Sequence, residues 1–201
     1  MNRENIVLFF DNAQISLPNG VTIPPACSFS LQKFKPSFFL GGNGVGKTTL
    51  LNILAGKHRI DNGQLIEYCS YKKCTARLYQ FNGLFFESSA YDNIKLSGAD
   101  SDSVLSLLSH FNMLDKKDIP CRLLSGGQQR IVQFCRAILS NKWFWIFDEP
   151  TSGVDSESCE KMAEIIFSHA RMGKVIAIAT HDTKLIENVQ NHGISVDIIN
   201  L

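Results

Sequence analysis

Eight consecutive residues, Gly41-Gly42-Asn43-Gly44-Val45-Gly46-Lys47-Thr48, have the make-up of a device for holding phosphate. Glycines let a backbone curl until successive N–H groups point at one spot. A helix starting there adds the positive end of its dipole. The spacing G-x-x-x-x-G-K-T then brings Lys47 to β- and γ-phosphates and the Thr48 hydroxyl to a Mg²⁺ position. A second chemical group, Asp148-Glu149, closes the apolar run Trp143–Phe147. Side chains alternate along a strand, so the two carboxylates face opposite ways and cannot both be idle surface charge. Asp148 suits Mg²⁺, often through water, and Glu149 suits orienting and deprotonating an attacking water. A third segment is Leu124-Ser125-Gly126-Gly127-Gln128-Gln129-Arg130. Ser125 is a good N-cap with Gln128 in capping-box position. Two glycines in a first helical turn each cost about 1 kcal/mol relative to alanine, which makes sense if a ligand must approach the backbone.

The elements that must position these groups are legible as alternating strand-length and helix-period segments, the pattern of an α/β fold with a parallel sheet flanked by helices. Ser37-Phe38-Phe39-Leu40 reads as a buried strand running into the glycine loop, and Thr49–Ala55 as the helix that follows, stopped by Gly56. Residues 6–10 and 27–31 read as strands around a turn at Pro18-Asn19-Gly20. Helical spacing joins Val104, Leu107, Leu108 and Phe111, and again Ile131, Phe134, Cys135, Ile138 and Leu139. After Gly173, the run Val175–Ala179 predicts a central strand buried on both faces.

Composition excludes several classes. The chain has 201 residues, 44% hydrophobic and 19% charged, enough to bury one core and too few for two catalytic units. Its 20 basic and 19 acidic residues give no field that would recruit nucleic acid. The longest apolar runs have five residues, against about 20 for a spanning helix. The residues Met1–Asn5 have no secretory character, so no leader or anchor is expected. Six cysteines show no zinc or redox spacing, the nearest pair being Cys69 and Cys74, and read as reduced thiols.

In this order and at these separations the motifs resemble those of the ATP-binding subunit of ATP-binding cassette (ABC) transporters, over almost the whole chain. Gly41–Thr49 resembles the Walker A loop, Leu124–Gln128 the signature, and Trp143–Glu149 the Walker B strand. Ser152-Gly153-Val154-Asp155 resembles the D-loop, His181 the switch histidine and Gln80 the Q-loop glutamine. The resemblance implies a P-loop NTPase fold: a mostly parallel sheet core (about residues 1–80 and 136–201), a trimmed antiparallel β-subdomain, and an inserted helical subdomain (about 82–135). It also implies an ATPase using ATP and Mg²⁺, with Thr48, Gln80 and Asp148 around the metal. Glu149, His181, Gln80 and Lys47 carry hydrolysis in this reading. A head-to-tail homodimer then places Ser125, Gly126, Gly127 and Gln128 over the partner's ATP, with Asp155 linking the two sites. The expected partners are integral membrane subunits at the cytoplasmic face of the inner membrane, with no membrane contact of its own.

Two stretches depart from the family pattern or sit at its partner surface. No aromatic occupies Ser16–Gly20, where the family usually stacks the adenine. Phe81, Leu84, Phe85 and Phe86 enter the helical segment where the family's groove for the membrane subunit lies, and read equally as core or as partner surface. Within the family, Asp118–Arg130 and the strand around Trp145 resemble the ATPase of the haem exporter of cytochrome c maturation. Gly126 and Thr151-Ser152-Gly153 follow the general pattern instead. Other short transport ATPases, for lipoprotein release or metal uptake, and soluble ABC ATPases remain as alternatives.

Overall fold

A computed structural model describes residues 5–16, 22–68, 70–79 and 83–201. Five strands form one parallel sheet: β3 (Ser37–Leu40), β5 (Thr75–Leu78), β6 (Phe144–Asp148), β7 (Val175–Thr180) and β8 (Asp197–Asn200), in the order β5-β6-β7-β3-β8. A second, antiparallel sheet has the order β2-β1-β4, from β1 (Ile6–Ser16), β2 (Thr22–Gln32) and β4 (Asn62–Glu67). The expected hairpin is therefore present and longer than the apolar segments suggested; its turn at Pro18–Gly20 lies outside the described residues.

The period-2 alternation of the strands divides the core in two. Phe39, Phe144, Ile146, Ala177 and Ala179 turn toward α1 (Lys47–Leu54) and the antiparallel sheet, meeting Leu50, Leu51, Leu54 and Phe10. Phe38, Trp145, Phe147, Ile176 and Ile178 face the opposite layer. That layer holds α3 (Ser101–His110), α4 (Gly126–Leu139), α5 (Ser156–Arg171) and α6 (Thr183–Asn191), with the short α2 (Ala90–Lys95) beside α4. Every residue of β6 and β7 is buried, as the apolar runs required of central strands. The stripe on α4 is the seam of this layer: Ile131, Phe134, Cys135 and Ile138 are buried, and Phe134 meets Phe147 edge-on at 5.5 Å. Because α4 runs unbroken through residue 135, its first turn is fixed by its second half against the sheet. Trp145 is fully buried, and truncating it to alanine would cost about 3–5 kcal/mol.

Among the described residues, Cys74, Cys121, Cys135 and Cys159 are free thiols, and no three or more His, Cys, Asp or Glu side chains gather as a metal-binding group. Burial pushes the Cys121 thiol up to about 11, which makes it inert. No helix among these residues is long and apolar enough to cross a membrane.

The Trp145 ring lies 4.6 Å from that of His169 and 5.0 Å from the Lys174 ammonium. Burial pushes the His169 imidazole below the ordinary histidine range, against the opposing effect of the Ile165 carbonyl 2.9 Å from Nδ1, and Lys174 adds to the depression. The unfolded chain takes up a proton near pH 6.5 and the folded chain only below it. Stability from this residue is thus complete above that pH and lost on acidification through it. Stability of the parent against denaturant is expected to fall from pH 7.5 to 5.5, and His169→Phe to flatten that slope; identical slopes would exclude His169 as a source.

Candidate functional site

The phosphate loop joins β3 to α1, and the conformation of Gly46 makes the turn possible. Its φ of 101° is left-handed, a region that favours glycine, and it is the N-cap of α1. No side chain caps this helix, so its leading amides are left for a ligand. Gly42, Asn43, Gly44, Gly46, Lys47, Thr48 and Thr49 line a cleft of about 250 Å³, closed on its other side by Asp148 and Glu149. Gly41 and Val45 lie behind that lining, in a turn so close that a Cβ on Gly41 would sit 2.6 Å from Val45 Cγ2.

Strand alternation explains how Asp148 arrives, but the two acids do not face opposite ways as alternation alone predicted, because Glu149 leaves the strand in a left-handed conformation and lines the same cleft. Asp148 shares the face of Phe144 and Ile146, the face covered by α1, and the Thr48 hydroxyl donates to its Oδ2 at 2.8 Å. Only 2% of Asp148 is exposed. Burial raises its pKa, opposed by the Thr48 bond and by the nearby Arg77 and Lys47 cations. A buried carboxylate paired with a hydroxyl is a hard, all-oxygen donor set that fits Mg²⁺. Arg77, on β5, also donates to Asn52 Oδ1 of α1 at 2.6 Å, tying β5 to the phosphate-loop helix.

Glu149, one residue beyond β6, adopts a left-handed backbone with φ 49°, a strain on the order of 1–3 kcal/mol that persists only where the surroundings over-determine it. Its N–H donates to Ala179 O at 2.8 Å, and its carbonyl accepts from Ser152 N at 3.2 Å. The side chain is as fully committed. Oε1 lies 3.3 Å from Lys47 Nζ, with both side chains 7% exposed. Oε2 accepts from Thr180 Oγ1 at 3.1 Å and from His181 N at 3.3 Å, and pairs with His181 Nδ1 at 2.9 Å. Lys47 also donates to the carbonyls of Gly41 and Gly42, at 2.7 and 3.1 Å. The His181 side chain, 62% exposed, reaches outward from this buried centre. Gln80 lies outside the described residues.

Ser125, Gly126, Gly127, Gln128 and Asp155 are not among the residues lining the cleft. Ser125 and Gln128 form the reciprocal capping box of α4, at 3.2 and 3.0 Å. Asp155 caps α5, and the backbone N–H of Ser158 at 2.9 Å holds its carboxyl below the usual range. The two glycines, read alike from sequence, differ. A Cβ on Gly126 would meet nothing within 4 Å, whereas one on Gly127 would sit 2.2 Å from the Gly153 carbonyl. Packing within the chain thus accounts for Gly127, and the open approach is at Gly126. Among the four apolar residues at the helical entrance, Leu84 is core while Phe85 and Phe86 are exposed; Phe81 lies outside the described residues. Sequence reasoning missed Thr151, Thr180 and Asp182, which bond around Glu149. The available signal was polarity: Thr180 ends an apolar run, and Thr151 and Asp182 each follow a motif residue closely.

Comparison with known proteins agrees with this geometry. The profile of the ABC transporter family matches residues 26–152. The chain is 31% identical over 166 residues to the cytochrome c biogenesis ATP-binding export protein CcmA of Gluconobacter oxydans, covering 82% of this chain and 77% of that protein. With CcmA of Vibrio cholerae it shares 30% identity over 162 residues, covering 74% and 78%. Among solved structures, a nucleotide-free ATP-binding cassette from an ABC transporter aligns with a TM-score of 0.76 at 18% identity, covering 97% of this chain and 88% of that one. That last likeness is one of fold.

The contrast between the glycines is testable by thermal melting. Gly126→Ala is expected to fold with equal or greater stability, by up to about 1 kcal/mol. Gly127→Ala should melt clearly lower, because the Gly153 peptide must move. Equal melting temperatures for the two variants would contradict the packing described.

Proposed function

This chain belongs to the ABC transporter family, as an ATP-binding and ATP-hydrolysing subunit, and from that premise we propose that two copies pair head to tail around two ATP molecules to drive a separate integral membrane subunit. The observation that carries this is the meeting of the phosphate loop, Asp148 and Glu149 at one cleft, with His181 bonded to Glu149. Loop amides and Lys47 would bind the phosphates. Thr48, Asp148 and Gln80 would hold Mg²⁺, which when bound would draw charge from the β- and γ-phosphate oxygens. Glu149 would orient and deprotonate the water, and His181 would contact the γ-phosphate. Lys47 must first exchange its contact with Glu149 for phosphate oxygens, and that exchange frees Glu149 Oε1 for the water. Placement of Ser125–Gln128 and Asp155 away from the cleft lining supports their action on the partner's ATP. Residues 1–201 would work as one cassette, with residues 82–135 as its helical arm.

The membrane subunit would dock at the exposed Phe85 and Phe86, beside Leu123, which is 62% exposed. Arg122 joins these two segments, through its N–H to the Phe86 carbonyl at 3.0 Å and its side chain to Glu87 at 2.9 Å. Arg130 of α4 donates to the Tyr79 carbonyl at 2.6 Å, just before Gln80. A movement of α4 would therefore be carried to Tyr79, just past the end of β5. With no spanning helix among the described residues, the chain would sit on the cytoplasmic face of the inner membrane through this subunit, without nucleic acid as a partner. The CcmA relatives favour the haem exporter of cytochrome c maturation as the system it serves.

Glu149→Gln should lower ATP turnover by about 100-fold or more while leaving a Mg²⁺-ATP-dependent dimer, readable by light scattering. Turnover at the parental rate would contradict the role of Glu149, and a chain monomeric under those conditions would contradict the sandwich. A strain lacking the gene should lose covalently haem-stained c-type cytochromes; a normal haem stain would move the chain to another transport system.

A further inference from the structure

Thr151, Thr180 and Asp182 carry no role in the chemistry described so far, yet hydrogen bonds link them in a path that leaves Glu149 through its side chain and, from Thr151, returns along the chain to its backbone. The Thr180 hydroxyl, fully buried, donates to Glu149 Oε2 at 3.1 Å and accepts the Asp182 N–H at 3.0 Å. Its one hydrogen and a lone pair are thus both assigned. Asp182 divides its two oxygens. Oδ1 caps α6 by accepting from Lys184 N at 2.9 Å, and Oδ2 accepts from the Thr151 hydroxyl at 2.8 Å, across 31 residues of sequence. Thr151 is only two residues from Glu149, and the Val154 N–H, 3.0 Å from the Thr151 carbonyl, fixes the turn that follows.

We propose that Thr151, Thr180 and Asp182 are positioning residues that hold the Glu149 carboxylate and the His181 segment in fixed mutual register for hydrolysis. This rests on Glu149 as the water-activating group. The cap on α6 needs only Oδ1 of Asp182, so the bond to Thr151 is surplus to helix capping. Its effect is to join the loop after β6 to the loop after β7. The same two loops already share Glu149 Oε2, which accepts from Thr180, from His181 N and pairs with His181 Nδ1. Removing the Thr151 hydroxyl takes away no group that touches Glu149 directly, but it releases Asp182, and with it the orientation of the Thr180 hydroxyl that holds Glu149 Oε2. The carboxylate then samples directions unsuited to a water, while the phosphate loop and its affinity for ATP are untouched.

The test compares Thr151→Val, which keeps the shape, with Thr151→Ser, which keeps the hydroxyl, in steady-state ATP hydrolysis and in hydrogen exchange of the backbone. Thr151→Val should lose about tenfold in kcat with KM for ATP within about twofold, the loss expected of one hydrogen bond acting on the catalytic geometry. Thr151→Ser should restore kcat to within about twofold of the parent. The His181 and Asp182 amides should exchange faster in Thr151→Val and at the parental rate in Thr151→Ser. A parental kcat in Thr151→Val, a change in KM alone, a failure of serine to rescue, or unaltered exchange overturns the proposal. Glu149→Gln run alongside separates the cases. If it is inactive while Thr151→Val keeps the parental kcat, only the positioning role falls; if it hydrolyses at the parental rate, the role of Glu149 falls and the proposal with it.

Discussion

A carboxylate removed from water must be surrounded by donors, and Glu149 meets that demand by dividing its two oxygens between two parts of the chain. Oε1 belongs to Lys47 of the phosphate loop, and Oε2 to Thr180 and His181 at the end of β7. The backbone strain at this residue persists because both halves are anchored. The rest of the fold can be seen as the scaffold for this arrangement. The parallel pairing of β6 with β7 and of β7 with β3 brings three loops to one end of the sheet, where open α/β sheets bind their ligands.

Sharing the carboxylate has a dynamic consequence. Lys47 rests on two loop carbonyls and on Glu149, so in the proposed function a triphosphate would compete with a buried anion for the same ammonium. Whatever draws Lys47 away leaves Glu149 held only from the β7 side, with one oxygen available. In the function proposed above, binding and activation would be two readings of one exchange, and the circuit through Thr151 and Asp182 would set how well Glu149 keeps its aim once Lys47 has gone. At the other end of the chain's work, the contact of Gly127 with Gly153 joins the signature helix to the loop that leaves Glu149.

Much of this was legible in the sequence, for identifiable reasons. Residues 41–46 dictate a loop that opens a helix at Lys47 whatever surrounds them, and an acid ending a doubly buried strand must face a neighbouring element. The capping box of Ser125 and Gln128 is a local geometry that four residues suffice to encode. Strand extent was harder. The polar residues Asp11, Asn12, Gln14 and Ser16 and the Pro24-Pro25 pair speak against strand, yet β2 is an edge, where missing donors are tolerated, and register shifts absorb the irregularity. β4 is almost wholly exposed, so it carries no alternation to detect. What the sequence could not reveal are pairings across distance: Thr151 with Asp182, and the different surroundings of Gly126 and Gly127. Both depend on loops brought together by the sheet, and the residues themselves look alike along the chain.

The competition for Lys47 is most directly tested by the equilibrium affinity of the parent and of Glu149→Gln for ATP, measured with a fluorescent analogue under conditions that prevent turnover. Glutamine removes the anion that holds the ammonium and the charge that opposes the incoming phosphates, so Glu149→Gln should bind ATP several-fold more tightly than the parent. Equal or weaker binding would contradict the view that Glu149 and the triphosphate share one cation.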